Sequence, residues 1–167
     1  MDPELCIKAK NGDADAFARL YESVSSKLYS TAFYMLGRRE DAEDVVMETV
    51  TDAFAEISSL RDPGAFEGWI FRILMNKLRR KRKSYIGESV ELNEDITESV
   101  QMSSDEGIAL RSALDKLPGR DREIIMLDVL GGYRSDEIAQ MLGMNANTVR
   151  SRKLRAFERI RAMLKED

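Results

Sequence analysis

The side chains best suited to a specific chemical task lie near the end of the chain, between Ser135 and Arg152. This segment has the pattern of a helix-turn-helix, because apolar residues at helical spacing flank Gly143, which can take the left-handed conformation of a tight turn. The predicted small core between the two helices consists of Ile138, Ala139, Leu142, Met144 and Val149. Arg, Asn and Ser side chains occupy the face that the second helix leaves exposed, and such groups can read base edges or hold phosphates. The predicted chemistry is therefore recognition of DNA.

The charge of the second helix supports this interpretation. From Asn145 to Lys165 the sequence has seven basic residues and one acidic residue, a balance that attracts phosphate. A solvated basic helix in an ordinary helical hairpin is the alternative, but it does not account for the turn pattern and the charge together. The candidate DNA-binding residues in this part of the chain are Asn145, Asn147, Thr148, Arg150, Ser151, Arg152, Lys153 and Arg155.

A second basic block runs from Lys77 to Lys83 and holds six cations in seven residues. Alone, such a run is as typical of a solvated helix end as of a nucleic-acid contact. Aromatic residues, including Phe66 and Trp69, stand just upstream, and aromatic rings beside cations suit the unstacked bases of a single strand. For Trp69, packing in the protein core remains the favoured alternative. The block thus indicates single-stranded DNA only in combination with its neighbours.

Helices must position these residues, because no stretch alternates apolar and polar residues as a strand would. In the first half, apolar residues at three- and four-residue steps predict a long helix that ends near Gly37 and a second helix with an otherwise acidic surface. A third helix is expected after Pro63. It should turn Phe66, Trp69, Ile70, Ile73 and Leu74 inward. The first half is therefore predicted to form a helical bundle.

The second half is expected to contain four helices. Two of them, at 108–117 and 122–130, end at Pro118-Gly119 and Gly131-Gly132. The other two, from 136 to 142 and from 146 to about 164, have plausible N-caps in Ser135 and Asn145. The predicted fold class is all-α, with two small helical domains.

Composition places a linker between these domains. Residues 84–107 are rich in Ser and acidic residues and show no sustained apolar period, which is typical of a flexible linker. The expected organisation is a first domain at 1–83, the linker at 84–107 and a second domain at 108–167. Residues 88–106 hold seven acidic residues and no Lys or Arg, so the rest of the chain is net positive although the whole chain carries a net charge of −4. The negative net charge of the whole chain therefore does not argue against a nucleic-acid partner, because the charge of each local surface decides what it attracts.

Composition also excludes several classes of function. The chain has one cysteine, Cys6, and no histidine, which removes disulfide frameworks, the usual zinc sites and every histidine-dependent triad. We therefore expect no cofactor, no metal and no enzymatic activity, and we expect Cys6 to be a small buried residue. No apolar run is long enough to cross a bilayer, and the start of the sequence lacks a signal peptide's pattern. A cytoplasmic location without stable membrane insertion is expected.

Three stretches of the sequence resemble the extracytoplasmic-function (ECF) group of the sigma-70 family. Residues 41–49, DAEDVVMET, are similar to the family's polymerase-binding helix, and residues 68–76, GWIFRILMN, to its promoter-melting helix. The segment that begins at Leu117-Pro118 and contains residues 137–139 and 148–152 resembles the domain that reads the upstream promoter element. The order and spacing of the three stretches match the family, which implies an alternative sigma factor.

The resemblance implies particular partners and contact residues. Core RNA polymerase would be bound through its largest subunit by Asp41, Asp44, Val45 and Glu48, and through the flap of its second-largest subunit by the second domain. Residues 61–68 correspond to the loop that captures a flipped base of the minus-ten element, and the helix after it would contact that element. The residues expected there are Trp69, Arg72, Asn76, Lys77, Arg79 and Arg80. The helix-turn-helix would read duplex DNA at the minus-thirty-five element, and an anti-sigma factor is a further expected partner.

Two functions other than that of a sigma factor each explain part of the sequence. A conventional helix-turn-helix regulator that does not act as a sigma subunit would explain the second domain, but a receiver domain would place strands in the first half. A di-iron helical bundle could use Asp41, Glu43, Asp44 and Glu48, but such sites usually pair carboxylates with histidine.

Overall fold

The computed structural model describes residues 2–87 and 105–166, and throughout these ranges the regular structure is helical, with no strand. The chain divides into two compact units, Met1–Val90 and Glu91–Asp167. The predicted all-α fold with two small helical domains is confirmed. None of the helices in the described ranges has the length and apolarity that a membrane crossing requires.

Residues 2–87, the described part of unit 1, form four α-helices. Their bounds are α1, Pro3–Lys10; α2, Ala14–Leu36; α3, Arg39–Glu56; and α4, Phe66–Gly87. Two short 3-10 turns, Ile57–Ser59 and Pro63–Ala65, connect α3 to α4. We call residues 57–65 the α3–α4 loop.

The local sequence explains where the longest helix of unit 1 begins and ends. Asp13 caps α2 by accepting a hydrogen bond from the Ala16 N–H at 3.0 Å. Gly37 ends the helix in the left-handed conformation, with a φ of 76°, which a glycine adopts without steric cost. Between these ends, one face of α2 packs against α3 and α4. Its fully or almost fully buried residues include Leu20, Val24, Leu28 and Ala32.

Residues 105–166, the described part of unit 2, also form four helices. They are α5, Asp105–Asp115; α6, Gly119–Val129; α7, Ser135–Leu142; and α8, Ala146–Glu166. Ile124, Ile138 and Val149 are completely buried and form the centre of the unit, so the predicted core of the helix-turn-helix is confirmed in its main members. Gly143 has a φ of 63° and makes the left-handed turn between α7 and α8.

A buried arginine joins α5 to α6. Arg122 has 2% of its surface exposed, and its guanidinium donates hydrogen bonds to the carbonyl oxygens of Leu114, Asp115 and Leu117. The last carbonyls of a helix have no partner within the helix. Arg122 therefore completes the C-terminal end of α5 and fixes the direction of α6.

Several predicted boundaries were wrong by a few residues. Helix α1 was not predicted, and α6 begins at Gly119 rather than 122 because Pro118 directly precedes its first turn. Helix α7 begins at Ser135 itself, with Glu137 Oε2 accepting from the Arg134 N–H at 2.7 Å. Asn145 caps α8 as predicted, accepting from the Asn147 N–H at 2.8 Å.

The helices also extend into the segment that composition marks as a linker. Residues 84–87 belong to α4 and residues 105–107 belong to α5. A tertiary contact explains the first extension, because the Tyr85 hydroxyl donates a hydrogen bond to Asp41 on α3. The remaining part of the predicted linker lies outside the described residues.

Candidate DNA- and polymerase-binding surfaces

The first turns of α8 present polar side chains to solvent. Arg150 Nη1 donates to Asn147 Oδ1 at 2.6 Å, which holds a guanidinium and an amide side by side. We call the exposed residues of this region the α8 face. It consists of Asn145, Asn147, Thr148, Arg150, Ser151 and Arg155. The opposite side of the same helix is buried through Val149 and Ala156.

Two of the predicted DNA-binding cations of α8 are held inside unit 2. Arg152 Nη1 donates to Asp121 Oδ1 at 2.8 Å, and Lys153 Nζ donates to Asp128 Oδ1 at 2.7 Å. Arg159 also approaches Asp121, at 3.4 Å. Both acceptors lie on α6 and are largely buried. These ion pairs orient α8 on α6, so Arg152 and Lys153 support the α8 face and are not its outermost groups.

The predicted minus-ten residues are distributed along one side of α4. Trp69 is half-buried, with its ring centroid 6.0 Å from that of the buried Phe66. Further along, Arg79 Nη1 donates to Asn76 Oδ1 at 3.0 Å. We call the predicted residues that reach solvent here the α4 face. It consists of Trp69, Arg72, Asn76, Arg79 and Arg80, the first and fourth only partly exposed.

Lys77, which is also predicted to contact the minus-ten element, lies apart from this face. Only 9% of its surface is exposed. Its ammonium lies 2.7 Å from Asp52 and 3.3 Å from Glu48, both on α3. Burial alone would lower the pKa of Lys77, but hydrogen bonds to Asp52 and Glu48 outweigh it and raise the pKa. Lys77 is a charged link between α3 and α4.

The predicted polymerase-binding residues on the acidic helix α3 differ in how exposed their side chains are. Asp44 is exposed, and the Glu48 side chain is 65% exposed even though it pairs with Lys77. Val45 has 3% of its surface exposed and packs in the core. The bundle covers the Val45 side chain, so Val45 has little surface of its own to offer a partner, and its predicted contact with the polymerase stays a prediction.

Asp41 is the centre of a network that joins α3 to the end of α4. Its carboxylate lies 2.7 Å from Lys81 Nζ and 3.5 Å from Arg38 Nε, and it accepts the Tyr85 hydroxyl at 2.5 Å. Burial would raise the pKa of Asp41, but hydrogen bonds from Lys81 and Tyr85 outweigh burial and lower that pKa. Burial and the bond to Asp41 raise the pKa of Tyr85, which keeps its hydroxyl a donor. In the isolated chain Asp41 therefore ties α3 to the end of α4, and its predicted contact with the polymerase stays a prediction.

Two apolar residues of α3 are exposed, and neither was predicted as a binding residue. Met47 is 68% exposed and Phe54 is 46% exposed, one on each side of Thr51 along the same helix face. Phe54 also makes an edge-to-face contact with Phe17, with ring centroids 5.1 Å apart. Beside Met47, a groove of about 530 Å³ runs between α2 and α3. The available signal was Met47 itself, because it stands among acidic residues and outside the buried apolar period of α3.

The geometry of the carboxylates also bears on the di-iron alternative. Glu43 pairs with Arg39 at 2.8 Å, Glu48 with Lys77 at 3.3 Å, and Asp41 with Lys81. Within the described ranges, no three metal-ligating side chains come together in a group that could hold an ion. Asp41, Glu43 and Glu48 are thus paired with three different cations and do not converge on one point.

Comparison with known proteins agrees with this architecture. Residues 20–85 match the family model for Sigma-70 region 2, and residues 108–160 match that for Sigma-70, region 4. The chain is 32% identical to RNA polymerase sigma factor SigV of Bacillus subtilis (strain 168), with 83% of this chain and 86% of the relative covered. It is 27% identical to ECF RNA polymerase sigma factor SigW of the same organism, with 95% and 94% covered.

A solved structure has the same fold along most of its length. It is the sigma factor RpoE in complex with the anti-sigma factor NepR from Bartonella quintana, which superimposes with a TM-score of 0.76 at 26% identity. The match covers 90% of this chain and 98% of that one. Sigma factors are transcription initiation factors rather than a class of enzymes. The two helical units, the matching region 2 and region 4 and the relatives together show that this chain belongs to the ECF group of the sigma-70 family, whose members direct RNA polymerase to initiate transcription at particular promoters.

Proposed function

We propose that this sigma factor reads its promoter with the α8 face and the α4 face and binds core RNA polymerase with the exposed side of α3. One observation carries the proposal. The structure exposes Asn147, Arg150 and Ser151 together at the N-terminal end of α8, while neighbouring cations anchor the helix. A helix that is fixed in place with its hydrogen-bonding groups facing solvent is suited to reading a groove.

At the minus-thirty-five element, α8 would enter the major groove with its first turns. Arg150 can donate two hydrogen bonds to guanine, and an amide such as that of Asn147 suits adenine. Because the two side chains already touch at 2.6 Å, they are positioned to contact neighbouring base pairs. Arg155, one turn further along, is placed for a phosphate contact.

At the minus-ten element, α4 and the α3–α4 loop would hold the separated nontemplate strand. Trp69 and the exposed loop residues lie near the start of α4, and Arg72, Asn76 and Arg80 continue along the helix. Flipping a base from the duplex costs a few kcal/mol. Stacking on Trp69 and cationic contacts with the backbone can offset this cost.

The polymerase contact would centre on the exposed apolar residues of α3. Met47 and Phe54 provide the apolar centre, and Asp44 and Glu48 provide an acidic rim. Interfaces commonly combine an apolar core with a charged rim, and complementary charge speeds association. We therefore expect a basic surface on the largest polymerase subunit as the partner of this side of α3, and the flap of the second-largest subunit as a partner of unit 2.

An anti-sigma factor is a further proposed partner. The similar RpoE is seen in complex with the anti-sigma factor NepR. The exposed apolar residues of α3 are suited to a protein partner, because burying them would remove apolar surface from water. A partner that covers α3 would compete with the polymerase for the same residues.

Transcription in vitro tests the proposed surfaces. Core polymerase without a sigma subunit is supplied with a library of promoter fragments, with and without this protein, and specific start sites should appear only when the protein is present. Arg150→Ala should weaken these starts without reducing core binding, and Asp44→Ala should reduce core binding. The matched controls are Arg161→Ala, which lies about 16 Å further along α8, and Glu56→Ala, an exposed residue at the end of α3.

The controls decide between a local and a general effect. If Arg161→Ala weakens transcription as much as Arg150→Ala, the α8 face is not the reading surface. If Asp44→Ala and Glu56→Ala bind core polymerase as tightly as the unmodified protein, the contact lies elsewhere.

A further inference from the structure

The α3–α4 loop is held in place by a helix that is distant in sequence. Lys10, in the last turn of α1, donates a hydrogen bond from Nζ to the carbonyl oxygen of Leu60 at 2.5 Å. The two residues are 50 positions apart, and Lys10 is half-buried at this contact. An ammonium bonded to a carbonyl is a charge-assisted hydrogen bond, which is stronger than a bond between neutral groups.

Packing brings α1 against both 3-10 turns of the loop. On the inner side of α1, Cys6 and Ala9 have 0% and 1% of their surface exposed. Burial raises the pKa of Cys6, and the thiol also responds to the charges of Lys10 and Asp62, the latter on the loop. Helix α1 therefore covers the inner side of the loop and leaves its outer side open.

The outer side of the loop is built by short local bonds. Asp62 Oδ1 accepts from the Gly64 N–H at 2.9 Å, and the Asp62 carbonyl accepts from the Ala65 N–H at 3.0 Å. Arg61, Asp62 and Gly64 remain exposed. The local bonds shape the tip of the loop, but they do not set its position relative to Trp69 and α4. The buried side chains of Ile57 and Leu60 anchor the first part of the loop, and Lys10 adds a polar restraint at the Leu60 carbonyl, next to the exposed tip.

We infer that Lys10 is a positioning residue for base capture at the minus-ten element, acting through the Leu60 carbonyl. The inference rests on the proposed function, in which the exposed tip of the α3–α4 loop, next to Trp69, receives a flipped base. A loop that is already held in its binding conformation pays less ordering cost when the DNA arrives. Helix α1 lies outside the matched region 20–85, so the family match assigns it no role.

The test uses holoenzyme assembled from core polymerase and this protein. The probe is a fluorescent single-stranded oligonucleotide with the nontemplate minus-ten sequence of a promoter that the protein recognises. A matched set replaces each base in turn by an abasic position. The measured quantity is the ratio of affinities for the complete oligonucleotide and each abasic one. This ratio does not depend on the active fraction of a preparation. Removing a positive charge that acts on the whole oligonucleotide also leaves the ratio unchanged, because it weakens both affinities equally.

Lys10→Met removes the ammonium and keeps an unbranched apolar stem. We expect the affinity ratio at the captured base to fall about tenfold relative to the unmodified protein, as for loss of a charge-assisted hydrogen bond. For the oligonucleotide that lacks this base, Lys10→Met and the unmodified protein should have equal affinities once the general effect of the lost charge, measured with the other abasic oligonucleotides, is subtracted. Lys10→Arg, which keeps a cationic donor, should restore most of the ratio. Lys8→Met is the control. Lys8 is on the same helix, and the ion pair described for it is a local one, with Glu4 at 3.2 Å.

Two different failures can be told apart. If the unmodified holoenzyme binds every abasic oligonucleotide as tightly as the complete one, the loop captures no base, and both the proposed role of the loop and this inference are wrong. If the unmodified protein is sensitive to one base and Lys10→Met keeps the same ratio, capture stands and only the role of Lys10 is overturned. An equal change in Lys8→Met would also overturn it.

Discussion

Arg152 donates a hydrogen bond from Nη1 to Oδ1 of Asp121 across 2.8 Å, tying the first half of α8 to the first turn of α6. The Asp121 side chain is 7% exposed and also approaches Arg159 at 3.4 Å. One buried carboxylate thus orients the helix that carries the α8 face. The orientation of the residues that we propose to bind DNA therefore depends on a carboxylate that is itself buried.

Asp121→Asn should loosen α8. The substitution removes the charge that two cations share and brings an amide donor close to the Arg152 donors, so unit 2 should lose about 1–3 kcal/mol of stability. Hydrogen exchange followed by mass spectrometry, which reports each unit separately, should show faster exchange in α8 peptides. Asp136→Asn is the control, since its pair with Arg134 is 3.4 Å long and largely exposed, and it should change stability by less than about 0.5 kcal/mol. Equal exchange in both variants would contradict the anchoring role.

Acid should weaken unit 1 through Asp41. Its pKa is lowered in the folded state, so its contribution to stability is present above the unfolded pKa of about 3.9 and is lost as the pH falls through the folded pKa. Urea unfolding monitored by Trp69 fluorescence between about pH 6 and pH 3 should show that Asp41→Asn costs most at the upper end of this range. The difference from the unmodified protein should shrink towards the lower end. A difference that does not vary with pH would contradict the assignment, and Glu56→Gln serves as an exposed control.

Lys77 and Arg80 should separate stability from DNA binding. Lys77→Ala removes a buried stem and the ion pairs to Asp52 and Glu48, so unit 1 should lose about 1–2 kcal/mol of stability. Arg80→Ala should leave stability within about 0.5 kcal/mol but weaken binding of the minus-ten single strand. Urea unfolding and oligonucleotide binding, measured on the same preparations, check both statements. If Lys77→Ala keeps full stability and weakens DNA binding, Lys77 contacts the minus-ten strand directly, as the sequence predicts.

The turn after α6 should require glycine at position 131 because of close packing. A Cβ atom on Gly131 would lie 2.5 Å from the Tyr133 ring and 2.6 Å from the Leu127 carbonyl oxygen, and the latter is backbone that cannot swing aside. Gly131→Ala should therefore destabilise unit 2 by about 1–3 kcal/mol. Gly119→Ala is the matched control, because nothing lies within 4 Å of its added Cβ, and it should be neutral or slightly stabilising. Exchange protection of α6 and α7 peptides distinguishes the two variants.

The local sequence was enough to predict the helical fold and the helix-turn-helix. Apolar spacing in α2 and α3, Gly37 and Gly143 at left-handed turns, and Asn145 as a cap act over a few residues, so they can be read without the partner elements. Helix α1 was missed because it is short and its apolar residues become meaningful only against the loop that they cover.

Tertiary structure alone decided which charged residues are exposed for binding. In sequence, Lys77 is one cation in a basic block, and Arg152 and Lys153 look like Arg150. Their carboxylate partners come from 25 to 31 residues away, on α3 and α6. Residue type and helical spacing determine that a helix is basic, but the burial of an ion pair depends on which other helix packs beside it. The sequence by itself determined that these helices form. Their packing decided which of their side chains are exposed and so free to contact a partner.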